Sequence, residues 1–500
     1  MQNKNIKSVV IVGGGTAGWI TATLLAKVLG KTLTITLVES DDIATIGVGE
    51  ASIPPIQPFN QALGINEADF IRATKATIKL GIQFQGWGSK HSSYMHAFGG
   101  VGKNFPFCDF FHFWLRGQEH GLSGDFWHYS LNYQAALHSK FQPLNHIPGT
   151  QLPGISYAYH FDAGLYARFL RELAEQKGVK RQEGKIVSVQ QCPQSGFVTG
   201  LTLADGQTLS GDLFVDCSGL HALLIDKTLN SGFDDWSHWL PCDRALAVPS
   251  ELPAGTNEPF TRSIAHQSGW QWRIPLQHRC GNGLVYSSRY LSDEDAKALL
   301  MANLPAPALA EPRLIKFRTG RVRQPWSKNV VAVGLASGFL EPLESTSIHL
   351  IQTAVVRLIK YFPHQGIAPT QVDVFNRLSK IEFERIRDFI ILHYKLNQRD
   401  DSAFWRACQQ MDIPPALQQK LALYQQTGKL LREDDELFTE IAWQQVLLGQ
   451  GMVPEDYHPL ANSLTTEQLQ DLFASLKSLI NSTVASMPSH HSFLESHRGD

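Results

Sequence analysis

Three groups of residues in this sequence have types and spacing that could do chemistry. Gly13, Gly15 and Gly18 stand in the pattern Gly-x-Gly-x-x-Gly directly after the apolar run Ser8–Val12. Such a turn lets a pyrophosphate rest on backbone N–H groups at the positive end of a helix. Two ionisable residues, Lys79 and Glu344, sit inside distinctive local patterns. Lys79 falls on the polar side of an alternating run, where a lysine is ordinarily solvated. Glu344 precedes the small residues Ser345 and Thr346 at the start of a helical pattern, where a carboxylate ordinarily caps. The third group is Trp270 and Trp272, two residues apart in Gly269–Pro275. In a strand both indoles point to one face, as a rigid wall or as plain core packing.

The elements that must position these groups are legible in outline. Ser8–Val12 reads as a buried strand. The helix after it carries Ala17, Ile20, Ala22, Leu24, Leu25 and Val28 on its apolar face. Leu33–Val38 reads as the next strand and ends in Glu39, about twenty residues past Gly18, where a ribose hydroxyl needs an acceptor. An acid there also repels a 2′-phosphate, so FAD or NAD fits better than NADP. Ile46 to Pro55 reads as a shaped Gly/Pro loop. Asn66–Ala76 reads as a helix, Ile78 to Phe84 as a strand, and His91–Trp114 as an aromatic-rich stretch. Asp162 is the expected N-cap of a helix over Ala163–Lys177. Strands are expected over Lys185–Gln190, Val198–Leu203 and Gln207–Val215, with Asp205-Gly206 as a hairpin turn. Asn329–Val333 reads as a strand running into Gly334-Leu335-Ala336, and Ile348–Tyr361 as a helix whose N-terminus is a candidate anion site. From about Ile381 the chain reads helical, with a mobile tail over the last dozen residues.

Length and composition set bounds. Five hundred residues exceed one simple core. The composition, 43% apolar and 18% charged with a net charge of −2, gives no reason to expect nucleic acid or an anionic membrane as partner. No apolar run approaches the ~18 residues that span a bilayer. The N-terminus leads straight into the first strand, with no room for a signal peptide. Six scattered cysteines without a CxxC pair fit a reducing cytoplasm and argue against a zinc site, so no metal is expected.

Five stretches together resemble the flavin-dependent halogenases of the tryptophan-halogenase type: GGGTAGW (Gly13–Trp19), ATIKLGIQF (Ala76–Phe84), AYHFDA (Ala158–Ala163), GWQWRIP (Gly269–Pro275) and LEPLESTS (Leu340–Ser347). The resemblance implies an α/β fold, an FAD-binding two-dinucleotide-fold (Rossmann-like) domain with a mixed substrate-side sheet and a C-terminal α-helical subdomain. It divides the chain into 1–380, with substrate-side insertions about 85–160 and 235–325, and 381–500. It implies that reduced FAD comes from a separate flavin reductase, and that chloride or bromide is oxidised to hypohalous acid. Hypohalous acid then halogenates a small electron-rich aromatic substrate. Lys79 matches the family's lysine and Glu344 its glutamate, the catalytic pair. Halide is expected on Thr346 and Ser347, and the flavin-side wall at Trp270 and Trp272. Flavin contacts are expected at Gly13, Gly15, Thr16, Ala17, Gly18, Glu39 and Gly49, and at Val187, Gly334, Leu335, Ser347 and Ile348. The substrate pocket is expected at His96, Phe98, Phe111 and Trp443. The assembly considered is a homodimer.

Two departures bear on substrate and halide. Ser347 stands where the free-tryptophan enzymes often have glycine. The C-terminal helices do not show the pair of tyrosines and the glutamate that bind the amino-acid end of free tryptophan; the comparable region is Phe438–Gly451. Indole or an indole derivative is therefore expected. Two rival readings are a flavin-dependent aromatic monooxygenase and a non-catalytic flavin-binding redox protein. The first usually carries a Gly-Asp where this chain reads Val333-Gly334-Leu335-Ala336, and the second has no need for Lys79, Glu344 and the paired indoles together.

Overall fold

A computed structural model describes residues 5–42, 49–253, 255–256, 258–433 and 435–497. The chain forms two compact units from interleaved segments: 1–76, 161–245 and 315–384 in the first, 77–160, 246–314 and 385–500 in the second.

The first unit is built on Ser8–Val12. Val9, Val10, Ile11 and Val12 are buried, as a strand covered on both faces requires. It lies centrally in a six-stranded sheet ordered Trp326–Ser327, Val330–Ala332, Leu213–Asp216, Ser8–Val12, Thr34–Glu39, Lys180–Glu183. All pairs are parallel except the outermost, Trp326–Ser327 with Val330–Ala332. Helix Thr16–Leu29 packs against Ala163–Gln176 and Ser347–Lys360. Thr23 Oγ1, deep in that packing, reaches Leu170 O at 3.1 Å. Asp162 caps its helix as expected, accepting from Gly164 N and Leu165 N.

The expected strand Gln207–Val215 is two strands. Thr208–Ser210 pairs antiparallel with Val198–Leu203, and Leu213–Asp216 joins the parallel sheet. The break falls at Asp212, whose Oδ2 accepts from Lys7 N, Ser8 N and Ser8 Oγ and so ties the new strand to the first one. The Gly/Pro segment read as a loop contains a short strand, Gly49–Ala51, and is followed by a helix, Ile56–Leu63. Its residues Ile46, Gly47 and Val48 lie outside the described residues.

The second unit carries a mixed sheet in the order Arg244–Ser250 (from Leu246 on), Cys280–Tyr286, Gly269–Pro275, Thr261–His266, Gly81–Gln85, Ser93–Ala97. Gly81–Gln85 pairs parallel with Thr261–His266 and antiparallel with Ser93–Ala97, and Gly269–Pro275 pairs antiparallel with both Thr261–His266 and Cys280–Tyr286. The alternating run Ile78–Phe84 is not one strand. Leu80 N donates to Pro259 O at 2.7 Å and Leu80 O accepts from Phe98 N at 2.8 Å, which extends the pairing of Gly81–Gln85 back by one residue. Thr77–Lys79 instead pairs antiparallel with Ala158–His160. Both faces of Thr77–Lys79 are buried, so Lys79 is not on a solvated face. Gly81 has no alternative residue: a Cβ there would stand 2.6 Å from His96 O.

The C-terminal part is helical, but its first helix begins at Pro369, well before Ile381, with proline in the first turn. The last dozen residues are not a mobile tail up to 497. His490–Glu495 is a helix, N-capped by Ser489, and His490 is 1% exposed; 498–500 lie outside the described residues. Among the described residues no helix is long and apolar enough to cross a membrane.

Gly13 is closely packed against the backbone at Cys217. Its φ is +110°, and a Cβ would run into the Cys217 carbonyl oxygen. Gly13→Ala is expected to destabilise the chain by about 2–4 kcal/mol and to abolish FAD retention. Thermal unfolding and flavin fluorescence check both, and an unchanged melting midpoint would contradict the reading.

Candidate active site

The glycine turn of the first unit has the shape a dinucleotide needs. Gly13 N donates to Val38 O at 2.8 Å, which locks the end of the first strand to its neighbour. A side chain at Gly18 would strike Gly13 O, so the helix can start this close only with glycine there. At Gly15 a Cβ would meet nothing within 4 Å. The turn is therefore closed on its protein side and open where a phosphate would sit. Thr16 and Ala17 begin the helix.

Glu39 ends its strand with its carboxylate lying over Gly14. Its Oε1 accepts from Arg181 Nε at 2.5 Å, and Arg171 Nη1 stands 3.8 Å away. One oxygen is thus held by guanidinium groups, which fixes the carboxylate beside the turn. Sequence reasoning missed Arg181; its only signal is its place on the neighbouring strand, in register with Leu37. It also missed Asp216, a buried anchor that accepts from Ser218 N, Ser218 Oγ, Leu224 N and Ile225 N. Asp216 holds the turn that sets the Cys217 carbonyl against Gly13. These features fit the adenosine diphosphate end of FAD.

Gly334 adopts φ +70° and a Cβ would stand 2.9 Å from Ala17 Cβ, so Gly334 and Leu335 begin a 3-10 turn against the start of the first helix. Gly49 is buried in the strand Gly49–Ala51. Val187 lies in the separate three-stranded antiparallel sheet and is 59% exposed.

Glu344 ends a 3-10 turn, Pro342–Glu344, and is buried. Ser345 then takes a left-handed conformation, φ +58°, and swings the chain into helix Ser347–Lys360. Thr346 is the N-cap residue, but its side chain makes no capping hydrogen bond. The first N–H groups of a helix have no intrahelical acceptor, so the turn that holds Thr346, Ser347 and Ile348 is suited to a small anion. His349, one residue further, is held below its ordinary pKa chiefly by burial, although Glu382 lies 3.5 Å away.

Lys79, in the second unit, has no solvent exposure. Its Nζ stands 5.3 Å from the centroid of the Phe98 ring, an ammonium over an aromatic face. From Phe98 an aromatic run continues: His96 at 6.3 Å, Phe389 5.7 Å from His96, then Phe438 stacked on Phe389 at 3.8 Å and Trp443 edge-on at 4.9 Å. The structure therefore joins Lys79, His96, Phe98 and Trp443, and adds Phe389 and Phe438, which sequence reasoning did not single out as pocket residues. Phe111 belongs to another cluster, with Trp114, Phe126 and Tyr424. It lines a cavity of about 290 Å³ together with Asp109, Arg432 and Glu440.

Beside Lys79, His160 is kept neutral: burial first, then the neighbouring Lys79 and His490, push its pKa well down. Its two ring nitrogens meet Thr77 Oγ1 at 3.1 Å and Thr261 Oγ1 at 2.9 Å. Trp270 and Trp272 are both buried, with ring centroids 6.1 Å apart. Trp270 also neighbours Trp87, and Trp272 lies across Gly283, where a Cβ would collide with its ring. All six cysteines are free, and among the described residues no group of His, Cys, Asp or Glu could hold a metal.

The model of the tryptophan halogenase family matches residues 8–466. The chain is 34% identical to the tryptophan 7-halogenase RebH of Lentzea aerocolonigenes over 99% of both chains. It is similar in structure to a flavin-dependent halogenase from Xanthomonas campestris, with a TM-score of 0.95, 47% identity and 99% of each chain covered. It is equally similar to BrvH, a flavin-dependent halogenase from Brevundimonas, with a TM-score of 0.95, 46% identity and 100% of each chain covered. These likenesses set aside the monooxygenase and non-catalytic readings.

One group in the strand Gly49–Ala51 gives a pH signature. Burial raises the Glu50 carboxyl, next to Gly49, from 4.5 to about 7. A raised carboxyl contributes stability that is present below pH 4.5 and lost as pH climbs through 7. The stability gained by Glu50→Gln over the native chain should therefore grow by about 2–3 kcal/mol between pH 5 and pH 8.5. Denaturant unfolding at several pH values measures it, and a pH-independent difference would refute it.

Proposed function

The chain belongs to the tryptophan halogenase family, and we propose that this flavin-dependent halogenase acts on indole or an indole derivative, with Lys79 and Glu344 as its catalytic residues. The chemistry that reduced FAD supplies when bound, renewed by a separate reductase, is oxidation of chloride or bromide to hypohalous acid at the expense of oxygen.

The protein's own residues do the rest. The Gly13–Gly18 turn receives the pyrophosphate and Glu39 orients the ribose. The N–H groups of Thr346 and Ser347 hold the halide at the helix N-terminus. Trp270 and Trp272 wall organic substrate away from the oxidising centre. Hypohalous acid is a weak electrophile until its oxygen is polarised. Lys79 Nζ donates a hydrogen bond to that oxygen and passes its proton to it, so the oxygen departs as water when the halogen bonds to the ring. Glu344 takes the proton that the ring carbon then releases. Assistance of this kind is worth ~10²–10⁴-fold.

The observation that carries the reading is the fully buried Lys79 over the Phe98 face, continued by His96, Phe389, Phe438 and Trp443. A flat electron-rich ring suits that aromatic lining. An amino acid's ammonium would need an acceptor such as a carboxylate, and this run holds none: beyond the Lys79 ammonium its polar groups are the His96 ring and the Trp443 Nε1–H.

Incubation with FAD, a flavin reductase, NADH, oxygen and bromide or chloride, with indole and tryptophan in parallel, tests the proposal by mass spectrometry. Haloindole in clear excess over halotryptophan is expected. Dominant halotryptophan would overturn the substrate assignment, and a gain of one oxygen without halogen would overturn the chemistry.

A further inference from the structure

The strand that presents Lys79 is only three residues long, Thr77–Lys79, and lies at the edge of its sheet. One side is laddered to Ala158–His160. On the other, Ile78 N donates 3.1 Å to Nε2 of His490, a residue 412 positions later. His490 is 1% exposed and opens the last helix of the chain. That helix is docked by its own set of bonds. His490 N donates to Ser139 O at 2.8 Å, Phe141 N to Pro488 O at 3.2 Å and Lys140 Nζ to Met487 O at 3.0 Å. Phe493 packs edge-on against Phe141 at 4.7 Å, and Phe141 against Tyr157 at 4.8 Å. Tyr157 directly precedes Ala158, the ladder partner of Lys79.

We infer that His490 is a positioning residue: through its hydrogen bond to the Ile78 N–H it fixes the strand that presents Lys79. The inference rests on the role proposed for Lys79. An N–H that donates to Nε2 requires a lone pair there, so the ring is neutral with its proton on Nδ1. A neutral acceptor is the side chain this place needs. It satisfies a buried edge N–H without bringing a second positive charge beside the Lys79 ammonium. A lysine or arginine could not accept, and an alanine would leave the N–H unbonded. The chain's last helix thus closes over the edge of the strand next to the reacting lysine, which gives it a function a mobile tail would not have.

The test compares His490→Ala and His490→Gln with the native chain; a glutamine Oε1 can replace Nε2 as acceptor. Amide hydrogen exchange read on the segment 77–81 should quicken about tenfold in His490→Ala, the loss of one buried hydrogen bond, and return close to native in His490→Gln. With indole, FAD, a reductase and bromide, His490→Ala should lose about tenfold or more in kcat with KM for indole unchanged. The ratio of hypobromous acid caught by a soluble 1,3-dione trap to bromoindole formed should rise. His490→Gln should restore both to within about twofold of native. Native exchange and native kcat in His490→Ala would overturn the inference. Equal loss in both variants would also overturn it, by showing that shape and not the acceptor matters. If the native chain makes no haloindole, the proposed function fails, and the exchange comparison still decides whether His490 holds this strand.

Discussion

A lysine ammonium held without solvent exposure is the constraint on which the second unit depends. Taking such a charge out of water costs several kcal/mol unless the surroundings compensate it. The structure around Lys79 reads as that compensation. The Phe98 ring offers the negative face of its π-system. His160 is kept uncharged by burial and by the lysine itself, and its ring nitrogens are held by two threonine hydroxyls. Past Lys79 the chain passes within two residues from the sheet of Thr77–Lys79 to that of Gly81–Gln85, where only a glycine fits at 81. A buried ammonium next to an aromatic run is costly for a merely structural role and useful for activating a weak electrophile beside a ring.

The first unit answers a different demand, for negative groups that are not its own. Two helices begin at its functional positions, Thr16–Leu29 after the glycine turn and Ser347–Lys360 after Glu344. They pack against each other, and neither is capped by a side chain at its N-terminus. The positive ends remain available to anions, which is where the proposed function puts a pyrophosphate and a halide. Two carboxylates are fixed beside the glycine turn. Asp216 holds the turn against Gly13, and Glu39 is held over Gly14 by Arg181.

Local signals carried far in the sequence. The glycine spacing, the Asp162 cap, the Asp205-Gly206 turn between Val198–Leu203 and Thr208–Ser210 and the burial of Trp270 and Trp272 all follow from neighbours within a few residues. What was not legible depends on contacts across hundreds of positions. The alternation around Lys79 has the period of a half-exposed strand, yet a strand from residue 158 and a histidine at 490 cover it. The break at Asp212 comes from its bonds to Ser8, and the aromatic run gains Phe389 from the helix Pro369–Lys395 and Phe438 from the bend before Glu440–Gly449, stretches whose composition alone marks them as ordinary core. The histidines near the C-terminus read as tail residues because no local pattern shows that Ile78 needs an acceptor.

The most direct measurement is the product balance of Lys79→Ala with indole, bromide, FAD and a flavin reductase. The variant is expected to bind FAD and to release hypobromous acid to a 1,3-dione trap, while bromoindole falls by at least about 10²-fold. Bromoindole formed at the native rate and ring position would contradict the account, because the ammonium around which the second unit is built would then have no part in the chemistry.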